Sequence, residues 1–219
     1  MGHRDFKDRI YAQFARVGSA LGSEKRLELL DLLAQAPRHV EALANETEMS
    51  VANVSQHLQA LRNARLVDSQ RQGNRIVYRL ADDTVLGLWL ALRSVAGSRL
   101  AEVPAIAAEF AVDGAGEEEV ARGRLNELVA EGAVLIDVRP ALEYAHGHLP
   151  GALSLPIDEL PTRLDELPRD RPIVAYCRGA YCLFADEAVD FLRQRGFQAA
   201  RLEGGWPEWR LDELSVAGG

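Results

Sequence analysis

The sequence predicts two domains, a mainly helical domain in residues 1–100 and an α/β domain with a central parallel sheet in residues 120–219. A chain of 219 residues is long enough for two modest domains, each with its own core. Apolar residues recur at helical spacing in the first half, whereas short apolar strands alternate with helices in the second. Pro104 and an acidic, Gly-rich run after Asp113 mark residues 101–119 as a linker.

Charge is distributed unevenly along the chain. Residues 1–100 contain 14 Lys and Arg against 11 Asp and Glu, a balance of +3, whereas residues 101–219 contain 11 against 22, a balance of −11. The total of −8 therefore does not exclude DNA as a partner, because the local field decides. The absence of a long apolar run predicts no membrane partner. The charged N-terminus and a single pair of cysteines lead us to expect a cytoplasmic protein.

A helix-turn-helix is predicted near the middle of the first domain. Ser23 caps an amphipathic helix that ends near Pro37, residues 40–46 form a short helix, and Ser50 caps a third helix. One face of this third helix is predicted to be buried, because apolar residues recur on it at spacings of three and four, namely at Val51, Val54, Leu58 and Leu61. Two short helices joined by a tight turn, the second with a polar face, are typical of DNA recognition.

A β-hairpin and a long helix complete the first domain. Two β-prone runs flank Gly73-Asn74, which predicts a hairpin whose arginines are suited to phosphate contact. The last helix is predicted from Asp82 to about Arg99. The less specific interpretation is a helical domain whose polar face is merely solvated, or one used only for dimerisation.

In combination, three segments of this domain resemble the ArsR-type winged-helix repressors: residues 20–27, residues 50–61 and the hairpin residues 73–80. The resemblance covers about residues 8–98 and implies a homodimer, paired through its first and last helices, that binds a double-stranded DNA operator. It implies that one group of residues faces bases or phosphates, namely Asn53, Ser55, Gln56 and His57. It implies that a second group grips the DNA backbone, namely Arg62, Arg65, Arg71, Arg75 and Arg79.

No metal site is predicted in this domain. Members of the family that sense metals use cysteines before the recognition helix, or Asp and His residues on the last helix. Residues 40–49 contain no cysteine and residues 82–100 no histidine. The histidines elsewhere have no convincing ligand spacing. The regulatory signal is therefore expected to enter elsewhere, and no cofactor is predicted.

The second domain is predicted to alternate between helices and strands. The predicted elements, in order, are helix 122–130, strand 134–137, a loop with Gly147, Pro150 and Gly151, strand 153–155, helix 158–167, strand 172–176, helix 183–195, strand 199–202 and a final helix. Ligands bind beyond the carboxyl ends of the strands in such sheets, where Cys177 and Cys182 lie. A helix N-terminus next to a cysteine can lower its pKa from about 8.5 to about 3.5–7.5, which favours a reactive thiolate.

Four segments of this domain resemble the rhodanese-like family, namely residues 135–139, 143–152, 173–177 and 202–209. The resemblance covers about residues 120–213. It implies that Cys177 attacks a sulfane sulfur donor and holds the sulfur as a persulfide. The next residue, Arg178, can supply some positive charge there. It implies a cradle of backbone N–H groups in the loop residues Gly179, Ala180, Tyr181 and Leu183. It also implies structural support of the site by Asp137, Arg139, Glu143 and His148.

The end of the cysteine loop departs from the family pattern. Active members usually end the loop with Arg followed by Ser or Thr, whereas Cys182 and Leu183 stand here. That arginine would bind a donor anion such as thiosulfate, and its loss argues against ordinary thiosulfate chemistry. The loss also argues against phosphatase or arsenate reductase chemistry. The second thiol suggests a resolving cysteine that closes a di- or polysulfide link with Cys177. The simpler interpretation is that Cys182 packs as a small apolar residue.

The favoured hypothesis is a DNA-binding transcriptional regulator controlled by persulfide formation on Cys177, with or without a bridge to Cys182. Polysulfide, a persulfide or thiosulfate would be the sulfur donor. One alternative is an enzyme, a sulfurtransferase in which the winged helix mainly dimerises or localises the protein. A further alternative is a dithiol sensor of arsenite or another soft ion, which would need a third donor.

Overall fold

A computed structural model describes residues 2–110 and 119–217, with side chains described through Asp212. The chain divides into two compact units, Met1–Ala91 and Leu92–Gly219. None of the helices in the described residues is both long enough and apolar enough to span a membrane.

The first unit is a helical domain with a small antiparallel sheet, and it confirms the predicted winged helix-turn-helix. Its elements are α1 (His3–Leu21), α2 (Glu24–Gln35), β1 (Arg38–His39), α3 (Val40–Glu46), α4 (Val51–Asn63), β2 (Val67–Gln72), β3 (Arg75–Leu80) and α5 (Asp83–Arg99), the last of which continues into the second unit. In the described part of the chain, β3 lies between β1 and β2. Leucines of α2, α3 and α4 are the largest group of core residues, including Leu29, Leu43 and Leu58.

The second unit is built on a parallel sheet, as the sequence predicted. After the end of α5 its elements are α6 (Glu102–Phe110), β4 (Glu119–Val120), α7 (Leu125–Ala130), β5 (Val134–Asp137), α8 (Ala141–His146), β6 (Leu153–Ser154), β7 (Ile173–Cys177), α9 (Phe184–Arg193), β8 (Ala199–Gly205) and α10 (Trp206–Ala217). Within the described residues the strand order is β4-β8-β7-β5-β6, with parallel pairing throughout. β7 is therefore the central strand, and its five residues are all buried.

Several element predictions were wrong, for physical reasons. Residues 158–167 form short 3-10 turns at Leu160–Thr162 and Leu164–Glu166 rather than an α-helix. Pro161 lies inside this segment, and a proline has no N–H to continue a helical ladder. The loop predicted after β5 contains a short helix, α8, which follows Pro140. Val51 is 45% exposed rather than buried, since it is the first residue of α4 and lies beyond the packed face.

The predicted linker differs in part from the structure. Residues 102–110 form α6, in which Pro104 is tolerated because it lies in the first turn. Residues 111–118, with most of the acidic Gly-rich run, lie outside the described residues. The domain boundaries at residues 100 and 120 stay a prediction.

Candidate functional site

The two cysteines lie at the carboxyl end of the central strand of the second unit. Cys177 is the last residue of β7 and is 1% exposed, and the helix α9 begins two residues after Cys182. The two Sγ atoms are bonded to each other, with Cα atoms 6.3 Å apart, inside the usual disulfide range of about 4.4–6.8 Å. The positive end of the α9 dipole is directed toward this loop.

The backbone of the cysteine loop is held by its neighbours on both sides. The Cys182 N–H donates to the Gly179 carbonyl at 3.1 Å, and Gly179 has a φ of +146°, a value that favours glycine. On the other side, Gly205 of β8 approaches so closely that a Cβ there would overlap the Cys177 carbonyl and the Gly179 nitrogen. Only a residue without a side chain fits at Gly205.

Arg201 of β8 is a further residue that fixes the loop, and sequence reasoning missed it. Its Nη2 donates to the Ala180 carbonyl at 2.8 Å and to the Gly179 carbonyl at 3.3 Å, while its Nη1 pairs with Asp186 of α9 at 2.6 Å. An arginine among the apolar residues Ala199, Ala200 and Leu202 of this strand was the available signal. It ties β8, the loop and α9 together.

Arg178, the arginine of the cysteine loop, forms an ion pair with a buried carboxylate. Arg178 donates from Nε to Glu143 of α8 at 2.9 Å and from Nη2 at 2.5 Å, and the Glu143 side chain is fully buried. Its guanidinium also lies 5.7 Å from the ring centroid of Phe184. Much of the positive charge that the sequence assigned to a sulfur donor is thus neutralised by Glu143, and Arg178 joins the loop to α8.

A fully buried ion pair lies beside the loop, at the end of β5. Arg139 donates to Asp137 from Nε at 2.9 Å and from Nη2 at 2.6 Å, and Asp137 also accepts from the Tyr176 hydroxyl at 2.6 Å. Burial, followed by the negative charge of Asp137, raises the pKa of Tyr176, so its hydroxyl stays a hydrogen-bond donor. Although burial alone would lower the pKa of Arg139, its hydrogen bonds to Asp137 raise it overall.

His148 packs against Tyr144 of α8. Its Nδ1 is 2.9 Å from the Tyr144 carbonyl, and its ring stacks on that of Tyr144 with centroids 3.8 Å apart. Among the residues that the structure describes, no group of three or more His, Cys, Asp or Glu side chains could hold a metal ion. The soft-ion hypothesis therefore finds no third donor there.

The candidate DNA surface of the first unit is made of exposed side chains on α4 and the β2–β3 hairpin. The Ser50 hydroxyl caps α4 by accepting from the Asn53 N–H at 3.2 Å, and Val54, Leu58 and Leu61 bury the opposite face. This orientation leaves Asn53, Ser55 and Gln56 exposed and His57 half-buried. The Ser55 hydroxyl also donates to the Val51 carbonyl at 2.7 Å.

All five predicted backbone-gripping arginines are exposed, namely Arg62, Arg65, Arg71, Arg75 and Arg79. Arg79 lies 3.5 Å from Asp68 of the facing strand, and Arg75 Nη1 is 3.4 Å from His39 Nε2. Arg65 has a φ of +63° and follows the end of α4. The Leu66 N–H donates to the Leu61 carbonyl at 3.0 Å and the Arg65 N–H to the Arg62 carbonyl at 2.9 Å, the pattern of a Schellman motif that usually contains glycine.

Comparisons with known proteins agree with both halves of this geometry. The sequence profile described as "Bacterial regulatory protein, arsR family" matches residues 23–69, and that described as "Rhodanese-like domain" matches residues 121–212. The HTH-type transcriptional regulator Rv0324 of Mycobacterium tuberculosis is 46% identical over 216 residues, which are 98% of this chain and 95% of that protein. This chain belongs to the ArsR family of regulators. Both resemblances that the sequence predicted are confirmed, and the chain is a DNA-binding ArsR-type regulator with a rhodanese-like domain.

Other relatives of this ArsR-type regulator match one half of the chain. A sulfurtransferase of Allochromatium vinosum is 38% identical over 87 residues, which are 39% of this chain and 79% of that protein. A solution structure of the homodimeric winged helix-turn-helix DNA-binding domain Mb0332 of Mycobacterium bovis is 42% identical, with a TM-score of 0.44. It covers 47% of this chain and 94% of that domain.

The predicted site residues of the regulator form separate groups in the structure. Cys177, Cys182, Arg178 and Glu143 are joined through bonds and ion pairs, whereas Asp137 and Arg139 form a neighbouring buried pair. The chemical roles of the site residues, and their contacts with DNA, stay predictions.

Proposed function

We propose that this regulator changes its affinity for operator DNA when Cys177 takes up sulfane sulfur and bonds to Cys182. The observation that carries the proposal is the bond between the only two cysteines of the chain. They lie in the loop after the central strand of the rhodanese-like domain, whereas residues 1–100 contain no cysteine. Sulfur chemistry at a cysteine is therefore confined to this loop.

The proposed reaction has two steps. The Cys177 thiolate attacks a sulfane sulfur atom of a polysulfide, forms an S–S bond to it and expels a polysulfide shortened by one sulfur. The Cys182 thiolate then attacks Sγ of Cys177 and expels hydrosulfide, which carries away the remaining proton. Two thiols are thereby oxidised by two electrons, and the sulfane sulfur is reduced by two. The bond between Cys177 and Cys182 supports the second step, because it shows that the two sulfur atoms can reach each other.

Resetting the pair requires a reductant. Two equivalents of a low-molecular-weight thiol exchange with the Cys177–Cys182 bond, giving two cysteine thiols and one external disulfide. We infer that the regulator works in the cytoplasm, where such thiols are abundant. A sensor needs only one sulfur per site and can therefore function without the anion clamp that a rapid enzyme would use.

We infer that the DNA-binding form is a homodimer that contacts the operator through α4 and the hairpin arginines. Exposed aromatic residues on α1 support the dimer: Phe6, Tyr11 and Phe14 are 62–65% exposed. Large apolar side chains exposed together on one helix are typical of a surface that a second copy covers.

A second candidate function is sulfur transfer, which the 38% identity to a sulfurtransferase favours. In that case sulfur on Cys177 would pass to an external acceptor such as cyanide or a thiol, and sulfur would turn over many times. Because Arg178 is paired with Glu143 and the loop ends in Cys182, we expect uptake to stop after one equivalent.

The test compares sulfur uptake and DNA binding in the same samples. Reduced protein is treated without oxygen with sodium tetrasulfide, and intact mass is read beside the anisotropy of a labelled DNA duplex at fixed salt. The duplex is one selected from a random pool on the reduced protein. We expect loss of two hydrogens for the disulfide, or that loss plus a gain of sulfur for a polysulfide bridge, together with a changed Kd.

Cysteine variants provide the controls. Cys177→Ser should bind the duplex like the reduced wild type and should not respond to tetrasulfide, whereas Cys182→Ser should stop at a mass gain of one sulfur. A tetrasulfide response that persists in Cys177→Ser would contradict the proposal. Multiple turnovers with cyanide as acceptor, without any change in Kd, would favour the enzyme.

A further inference from the structure

Helix α5 contacts the cysteine loop through two residues on one face. The Arg93 guanidinium forms an ion pair with Glu208 of α10, and its Nη1 lies 2.8 Å from the position that a Cβ on Gly179 would occupy. One turn further along α5, the Tyr181 hydroxyl lies so close to Gly97 that a Cβ there would overlap it. Positions 93 and 97 are four residues apart and therefore lie on the same side of the helix. Gly179 and Tyr181 both lie between the two cysteines.

Arg93 reaches the loop by a second route as well. Glu208, its partner, accepts through Oε2 from the Gly205 N–H at 3.1 Å. Gly205 in turn packs directly against the Cys177 carbonyl. The side chains of Arg93 and Glu208 are only 14% and 15% exposed, so this pair is shielded from solvent more than a surface ion pair is.

The sulfur state of the loop must alter these contacts. With the cysteines bonded, their Cα atoms are 6.3 Å apart, and Gly179 and Tyr181 are confined between them. Breaking the bond removes this restraint, and each inserted sulfur lengthens the link by about 2 Å. The residues between the cysteines are the ones that must adjust, and they are those that touch Arg93 and Gly97.

The other half of α5 is anchored in the first unit. Val85 and Leu86 are buried, and the Trp89 indole N–H donates to Asp31 of α2 at 3.0 Å. α5 is therefore one continuous helix whose first half belongs to the DNA-binding unit and whose second half touches the cysteine loop.

We propose that Arg93 and Gly97 of α5 respond to a change in the sulfur state of the cysteine loop, and that α5 transmits this change to the DNA-binding unit. This inference rests on the proposed function and adds the residues that couple the two sites. Coupling requires that the two loop states contact α5 differently, which the positions of Gly179 and Tyr181 supply.

The experiment measures the ratio of Kd values for the selected duplex before and after sodium tetrasulfide treatment of the full-length protein. The variants are Arg93→Gln, which removes the charge that pairs with Glu208, and Gly97→Ala, whose methyl group displaces Tyr181. Gly97→Ala lies in a helix and raises helix propensity, so it should fold. The controls are Arg99→Gln and Ser98→Ala, at exposed positions of the same helix.

We expect the wild type and both controls to show the same ratio, which falls in the range of about 5–150 for typical allosteric coupling. In Arg93→Gln and Gly97→Ala the ratio should fall toward 1, while intact mass still shows the bridged product. A wild-type ratio retained by Gly97→Ala, with its mass change intact, overturns the coupling role. A wild type whose intact mass shows no bridged product after tetrasulfide, or shows it with an unchanged Kd, instead overturns the proposed function.

Discussion

The candidate DNA surface of the first unit and the cysteine loop of the second are built in opposite ways. Asn53 and Gln56 are exposed on a helix whose stability comes from leucines on its other face. Around the loop, Asp137, Arg139 and Glu143 are fully buried; Asp137 accepts hydrogen bonds from Arg139, and Glu143 accepts them from Arg178. DNA affinity should therefore be alterable at little cost in stability, whereas the sulfur site and the stability of its domain should change together.

The largest expected effect on stability comes from breaking the buried ion pair of Asp137 and Arg139 beside the cysteine loop. Asp137→Asn keeps the shape of the side chain but removes the negative charge that is hydrogen-bonded to the buried Arg139 guanidinium. We expect the free energy of unfolding to fall by about 3–5 kcal/mol, measured by urea denaturation. The matched control, Glu166→Gln, removes an exposed partner of Arg163 and should leave the midpoint almost unchanged. Equal losses of stability in the two variants would contradict the conclusion that this domain depends on the buried groups around the loop.

The next effect concerns the close approach of β8 to the cysteine loop. Gly205→Ala places a methyl group against backbone atoms of Cys177 and Gly179, which cannot move aside as a flexible side chain could. We expect a loss of about 1–3 kcal/mol in urea denaturation and slower bridging of the cysteines by tetrasulfide. Gly123→Ala is the control, because nothing lies within 4 Å of its added Cβ. A wild-type bridging rate in Gly205→Ala would show that the loop tolerates displacement.

Substitutions on the candidate DNA surface are expected to weaken DNA binding without lowering the stability of the protein. Gln56→Ala should weaken binding to the selected duplex by about 1–3 kcal/mol and relax its sequence preference. Arg71→Gln should weaken binding to all sequences alike and reduce the slope of log K against log salt by about one per protomer. Both positions are exposed, so thermal unfolding should stay at the wild-type midpoint. Destabilisation by either substitution would place these residues in the core rather than in the DNA surface.

The smallest expected effect on stability is at Arg65, at the end of α4. A substitution there separates the cost of its backbone conformation from its predicted contact with DNA. Arg65→Gly relieves a positive φ and should raise the free energy of unfolding by about 1 kcal/mol or less, while weakening DNA binding. Glu48→Gly is the matched control in the same unit, with a φ of +52° and an acidic side chain. It should stabilise the protein without weakening DNA binding. If Arg65→Gly leaves Kd unchanged, Arg65 is not a DNA contact.

Local patterns predicted most of the elements, because they depend on residues close together in the chain. The bounds of α3 and β5 agree with the prediction, and those of β2 and β3 follow from Gly73-Asn74. The prediction failed where the pattern was ambiguous, as in residues 158–167, where Pro161 broke a helix-like periodicity. Cys177 and Cys182 could be found from the sequence because a strand, a thiol and a helix follow one another there.

By itself, the sequence determined the fold class, both families and the position of the two cysteines, since these follow from periodicity and contiguous motifs. Only the tertiary structure decided which side chains hold the loop. Arg201, Glu208, Gly205 and Arg93 are far from the cysteine loop in the chain, and strand pairing and helix packing bring them to it. The tertiary structure also paired Arg178 with Glu143, because a carboxylate is stable when buried only if a cation compensates its charge.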